Sequence, residues 1–252
     1  MKKIINIVYM TLILSVSLFA STRGDVKVIE ASENIRFFGQ KIAKDYLYLY
    51  QNPKRLELKE RLTEDINSIE KFIIDIATIT NSKDSQNILD FLAYNKDEIK
   101  ELLQKKVSRE HGILMIDYGE SFLEGANSIE KTHKYKFSLE EEMLMSLKDV
   151  KYLLERTSKY YIAFVLDIDK NSNFSNMEQA ITNIESILQD VNSYKYPTEL
   201  LVDIENVNSI WKRHKEFLYK SKKLPVPNLL LSSTTTLENS VDKIAKYHKQ
   251  NQ

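Results

Sequence analysis

Residues 35–49 read Ile35-Arg36-Phe37-Phe38-Gly39-Gln40-Lys41-Ile42-Ala43-Lys44-Asp45-Tyr46-Leu47-Tyr48-Leu49. Ile35, Phe38, Ile42, Tyr46 and Leu49 recur at intervals of 3, 4, 4 and 3, one continuous apolar stripe on a helix running from about Val26 to Tyr50. Tyr46 to Tyr50 alternates as a strand would, but it sits inside the longer helical period and reads as helix. Asn52-Pro53 ends the segment, because the residue before a proline is pushed out of the α region.

Working outward, Leu62, Ile66, Ile69, Ile73 and Ile76 mark a second helix, closed by Asn81-Ser82. Ile88, Leu92, Ile99 and Leu103 mark a third. A fourth, after His111-Gly112, carries Leu114, Tyr118, Phe122, Ala126 and Ile129. A shift of 115 residues then lays the chain on itself without a gap. Ile35, Phe38, Tyr46 and Leu49 fall on Val150, Leu153, Tyr161 and Phe164; Ile66, Ile69 and Glu70 on Ile181, Ile184 and Glu185; Leu114, Phe122, Ile129 and His133 on Leu229, Leu237, Ile244 and His248. Ser138 with Glu141 reads as a capping box at the start of the second half. Asn171 to Asn173 marks its first connection, Pro197 opens its third helix, and Pro225 and Pro227 precede its last. The pattern predicts an all-α fold of two tandem four-helix up-down units, residues 24–136 and 137–250, related by duplication.

Composition narrows the chemistry. The 252 residues hold 36 Lys+Arg against 36 Asp+Glu, with no Cys, 4 His, 5 Gly and 4 Pro. A balanced charge gives no general attraction to nucleic acid. Absence of cysteine removes disulfides, thiolate metal sites and cysteine nucleophiles. Glu130-Lys131-Thr132-His133 matches one di-iron half-motif, but Ala245 stands where its repeat needs glutamate, so no metal or cofactor is expected. His133 and His248 read as cations facing the negative ends of terminal helices, and Glu140-Glu141-Glu142 as acids complementing a positive helix start. Trp211 reads as packing and Thr234 to Thr236 as a solvated face. No nucleophile, acid–base pair or phosphate-cradling loop converges, so no catalytic residue is assigned and no enzyme is expected. Lys2 and Lys3, then the apolar run Ile4 to Phe19 and small Ala20 and Ser21, read as an export signal over residues 1–21, which places the chain in the periplasm; the alternative is an uncleaved inner-membrane anchor.

One constellation stands above this background. Arg36, Lys41 and Lys44 hold the first, sixth and ninth places of the first helix, and Lys151, Arg156 and Lys159 hold the same places in the second copy. Both copies carry an aromatic at the eleventh place, Tyr46 and Tyr161. Arg36 lies off the apolar stripe and is expected to face water or another chain. Arg36 and Lys41 diverge by about 140° around the helix, so a joint site needs a second helix or subunit.

This stretch resembles the sensor domain shared by the NarX nitrate/nitrite kinases and the PilJ pilus chemoreceptors, whose first helix reads G-x-x-R-M-x-S-x-R. Arg36 and Lys41 fall on the two arginines, Gln40 on a glutamine common between them, and Lys151 and Arg156 on the same places in the second unit. The resemblance implies an extracytoplasmic sensing bundle in which arginines of two subunits clasp a small anion, a geometry suited to planar oxyanions. On that basis Arg36, Lys41, Lys151 and Arg156 are the candidate ligand residues, with a homodimer and a membrane receptor or envelope protein as partners. The departures are Ser32-Glu33 in place of the leading glycine, Gly39 for the serine, and lysine at 41 and 151. Family receptors also carry transmembrane and cytoplasmic signalling parts, which this sequence does not show. Two readings follow: an exported protein that presents a small anion such as nitrate to a receptor, or an envelope adaptor that binds a protein partner through an exposed helix face.

Overall fold

The structure, a computed structural model, describes residues 2–252 apart from 134 and 221, with side chains from residue 23 onward. The expected export signal, residues 1–21, lies outside the residues whose side chains are described. Eight helices make up the described chain: α1 (Lys2–Gln51), α2 (Leu56–Ile79), α3 (Lys83–Gln104), α4 (Arg109–Thr132), α5 (Leu139–Val165), α6 (Lys170–Ser193), α7 (Thr198–Lys220) and α8 (Pro227–Gln250). Among the described residues no helix is long and apolar enough to cross a membrane.

Local chemistry sets the boundaries. Ser82 and Ser108 cap α3 and α4 by accepting from the Ser85 and His111 amides at 3.3 and 3.2 Å. Ser138 and Glu141 close the expected capping box on α5. Pro227 occupies the first turn of α8, where its missing N–H costs nothing. Two boundaries differ from expectation: His111 and Gly112 lie inside α4, which starts at Arg109, and the first connection of the second half is displaced. Asn171 to Asn173 lie inside the first turn of α6, and the chain reverses earlier, at Leu166 to Asp169. Asp167 and Asp169 adopt left-handed backbone there (φ 61° and 32°), a conformation aspartate tolerates better than most residues. Asn173 Nδ2 donates to the Ile168 carbonyl at 2.8 Å and holds that reversal.

The helices form an all-α bundle with α1 and α5 at its centre. α1 packs on α2, α4 and α5, while α5 packs on α1, α6 and α8; α3 covers α2 and α4, and α7 covers chiefly α8. The two central helices are therefore enclosed on more than one side. Ala43 and Tyr46 to Leu49 are buried without interruption, as are Tyr160 to Phe164. A surface helix shows a single apolar stripe, so these segments behave as core helices. Their buried hydroxyls find backbone partners, as buried tyrosines must. Tyr46 Oη accepts from the Ser108 amide and Tyr161 Oη from the Val226 amide, at 3.4 and 2.7 Å, so the aromatic eleventh place of each copy braces the start of α4 or α8.

α1 and α4 approach closely because both offer glycine. A Cβ on Gly39 would lie 2.7 Å from Phe122 Cβ, and one on Gly119 would lie 3.1 Å from the Gly39 carbonyl. Gln40 Nε2 donates to the Gly119 carbonyl at 2.8 Å across this crossing. Phe122 Cβ is fixed to its backbone and cannot retreat. The Cβ of a residue replacing Gly125 would instead meet the mobile Leu92 Cδ2 at 2.8 Å. Gly39→Ala is therefore expected to cost about 1–3 kcal/mol, read as a lower urea midpoint at unchanged slope. Gly125→Ala should cost less, and equal costs would show that the α1–α4 crossing is not the tight point.

Candidate functional site

The candidate residues Arg36, Lys41, Lys151 and Arg156 all lie on α1 and α5, which face each other within one chain. The first-helix pairing that the family resemblance implies between two subunits is thus present between two segments of this chain. Each candidate cation already has partners. Arg36 donates to Asn127 Oδ1 at 2.9 Å, pairs with Glu33 one turn away, and lies 3.3 and 3.7 Å from Glu130 and Asp149. Lys41 reaches Asp65 at 2.8 Å and Lys151 reaches Asp242 at 2.7 Å. Arg156 binds Glu120 at 3.0 Å and the hydroxyls of Tyr152 and Tyr160 at 2.9 and 3.0 Å. The expectation that Arg36 faces water or another subunit is corrected: it turns toward α4 and α5, because α5 covers that flank of α1. Arg36 and Lys41 do not meet, in keeping with their angular separation.

Two further expectations change. His133 and His248 do not simply face helix ends. Their Nδ1 atoms contact Asp25 and Glu140 at 2.7 and 2.6 Å, side chains from the first helix of each half. Thr234 is buried and shares a hydrogen bond of 2.7 Å with Ser158, while Thr236 stays exposed. Trp211 packs in the core beside His214, as expected.

Several of these contacts recur along the chain. Arg36–Asn127 is matched by Lys151–Asp242, His133–Asp25 by His248–Glu140, and Lys100–Glu70 by Lys215–Glu185. In every pair both members of the second contact follow those of the first by 115 residues.

A second group of charges lies deeper, and of it only Lys44 was marked by spacing. Lys44, Asp45 and Glu155 are wholly or almost wholly buried between α1 and α5. Lys44 Nζ stands 2.5 Å from Glu155 and 3.3 Å from Asp45, and Arg61 brings a guanidinium to 3.0 Å from the other Asp45 oxygen. These are ion-pair distances without aligned hydrogen bonds, since the Asp45 and Glu155 oxygens have no hydrogen-bond partner. Burial by itself would push the Lys44 ammonium down, but Asp45, Glu155 and Glu238 outweigh it and hold the group above its ordinary range. Glu238 of α8 moves well above the usual carboxylate range, first through burial and then through the neighbouring Glu155 charge. The shift favours the protonated form of Glu238 and so lessens the negative charge gathered around Lys44.

On the other flank of α5, the wholly buried Lys159 pairs with Glu120, which Arg156 and Tyr160 also contact. Burial lowers the Lys159 ammonium to about 8 against the pull of Glu120, while Lys159 and Arg156 together keep the Glu120 carboxyl low despite its own burial. The signal for both lysines was the basic ninth place of each first helix. It identified the residues, but not their surroundings.

Chemically, the seam pairs its cations with carboxylates of the same chain. Among the described residues no three His, Asp or Glu side chains are grouped to hold a metal ion. No family model, no curated protein and no solved structure matches the chain.

Lys44→Met is expected to cost about 3–5 kcal/mol, because it leaves Glu155 and Asp45 buried without a cation; adding Glu155→Gln should return part of that loss. Glu238 predicts an opposite response. Its folded pKa is raised, so its stabilising contribution is complete below the unfolded value near 4.5 and is lost as pH climbs toward the folded one. Glu238→Gln keeps the size and polarity of the side chain without titrating. Its urea midpoint should exceed that of the unaltered protein at pH ~8, with the gap closing toward pH ~4.5. A pH-independent difference would place the proton elsewhere.

Proposed function

We propose that the chain is a non-enzymatic binding scaffold outside the cytoplasm, a doubled four-helix unit that engages a basic, amphipathic helix of a protein partner on the outer face of α3 and α4. The observation that carries this reading is an exposed aromatic pair. Phe91 and Tyr94, one turn apart on α3, are 56% and 59% exposed although both are large and apolar. Tyr118 of α4 is near enough to Tyr94 that burial and then the charges of Glu98, Tyr94 and Asp117 raise its hydroxyl pKa, and Leu114 lies one turn before it, 41% exposed.

The patch is set among acids. The basic residues flanking it on α3 are engaged, Lys96 with Glu70 and Asp97 and Lys100 with Glu70. Asp90, Glu98, Glu101 and Asp117 keep no cationic partner among the described residues. Aromatic side chains supply contact area at low entropic cost, and a ring of one charge steers partners of the other. An apolar stripe flanked by Lys or Arg fits both demands.

The contacts that recur at 115 residues support reading the halves as copies, which agrees with the tandem sensor-like layout. The leader-like residues 1–21 support export. Against an oxyanion clasp stands the neutralisation of the four candidate cations: nitrate at Arg36 would have to displace Glu33 and Glu130.

A photo-crosslinking residue at position 94, in cells producing the protein, tests the reading against the same residue at exposed position 246. Capture of one partner at 94 alone, abolished by joint Phe91→Ala and Glu98→Lys and indifferent to nitrate, is the expected result. Equal capture at both positions would overturn it. So would nitrate-dependent thermal stabilisation that disappears on Arg36→Ala, which would restore the anion reading.

A further inference from the structure

We infer that the cavity at the loop end of the first half binds a single-chain amphiphile with an anionic head, of the fatty-carboxylate or alkyl-phosphate type. The cavity measures about 310 Å³ and lies between the last turns of α1 and α3 and the start of α2, two turns along α3 from Tyr94. This size falls at the small end of ligand cavities, which run roughly 300–1,000 Å³. The inference does not rest on the protein-docking face.

Its wall is apolar: Leu49, Leu102 and Leu103 are buried, and Val107 and Leu56 complete the rim. Water in such a space has few polar partners, so an alkyl chain is the better occupant. Lys59, Lys105 and Lys106 line the same cavity. Among the described residues their ammonium groups have no carboxylate or aromatic partner, so three positive charges at one cavity stand without a counter-charge from the chain. The start of α2 adds nothing to this positive edge, because Glu57 occupies its first turn and pairs with Arg55 at 2.7 Å. A hydrocarbon wall bounded by several unpartnered lysines suits a molecule that is apolar along its length and negative at one end.

The second half shows that the fold does not demand this arrangement. At the places of Leu49, Lys59 and Val107 stand Phe164, Phe174 and Lys222. Lys222 Nζ lies 3.6 Å over the Phe174 ring and Lys170 Nζ 5.4 Å over the Phe164 ring. Cations at that corner are satisfied by aromatic faces. At the corresponding corner of the first half, lysines stand beside a wall of Leu49, Leu102 and Leu103 to which Tyr46 also contributes.

Calorimetric titration of the full chain with decanoate, decyl phosphate, decanol and decyltrimethylammonium, each kept below its micelle threshold, tests the assignment. Saturable binding of one or both anions is expected, with decanol weaker and the cation silent; whichever anion binds tighter identifies the head group. Lys105→Glu with Lys106→Glu should weaken binding about tenfold or more. Leu56→Asp should do likewise without unfolding the protein, since Leu56 is 67% exposed and an acid is favourable at a helix start. Absence of saturable anion binding, equal binding of decanol and the cation, or full affinity in both variants would overturn the inference.

Discussion

An ammonium group taken out of water costs several kcal/mol unless a carboxylate travels with it, and a carboxylate left behind costs as much. That constraint governs the seam between α1 and α5. Lys44 is inside because Glu155 and Asp45 meet it, Asp45 because Arg61 reaches in from the edge, and burial beside Glu155 pushes Glu238 toward its neutral form. Lys159 depends on Glu120 in the same way. These groups come from five helices, α1, α2, α4, α5 and α8, so the charges can be matched only when the two halves are docked in one register. Apolar packing would tolerate some sliding along the seam; this arrangement tolerates little.

The same constraint explains where function was sought and not found. Cations recurring in two first helices suggested an anion held between them. The helices do meet, yet the chain supplies its own carboxylates at each position, Glu33 and Glu130 for Arg36 and Asp242 for Lys151. Surface with unspent chemistry lies instead on the outer elements: aromatic and acidic over α3 and α4, aliphatic and basic at the loop end of the first half.

The helices were legible because one stripe of apolar residues at helical spacing survives in every segment and because Ser138 with Glu141 marks a helix start. The up-down order followed from short connections. Less legible was the second buried face of α1. Lys44 and Asp45 are off the stripe set by Ile35, Phe38, Ile42 and Tyr46, and a period analysis treats an off-stripe charge as solvated. Only the packing of α5 against that flank buries them, a tertiary event with no local trace. Gly39 had a comparable history: as a departure from a family motif it carried no meaning, whereas the 2.7 Å approach of Phe122 gives it one. The reversal at Asp167 and Asp169 was misplaced because the asparagines that follow resemble turn residues but start a helix.

The seam makes the halves a single thermodynamic unit, and Trp211, the chain's only tryptophan, reports from the half opposite Lys44. The most direct measurement is urea unfolding followed in parallel by Trp211 fluorescence and far-ultraviolet circular dichroism, for the unaltered chain and for Lys44→Met. Coincident transitions, both displaced to lower urea by a substitution made in the other half, are the result this account predicts. A Trp211 transition that stays in place while the dichroism curve separates into two steps would contradict it.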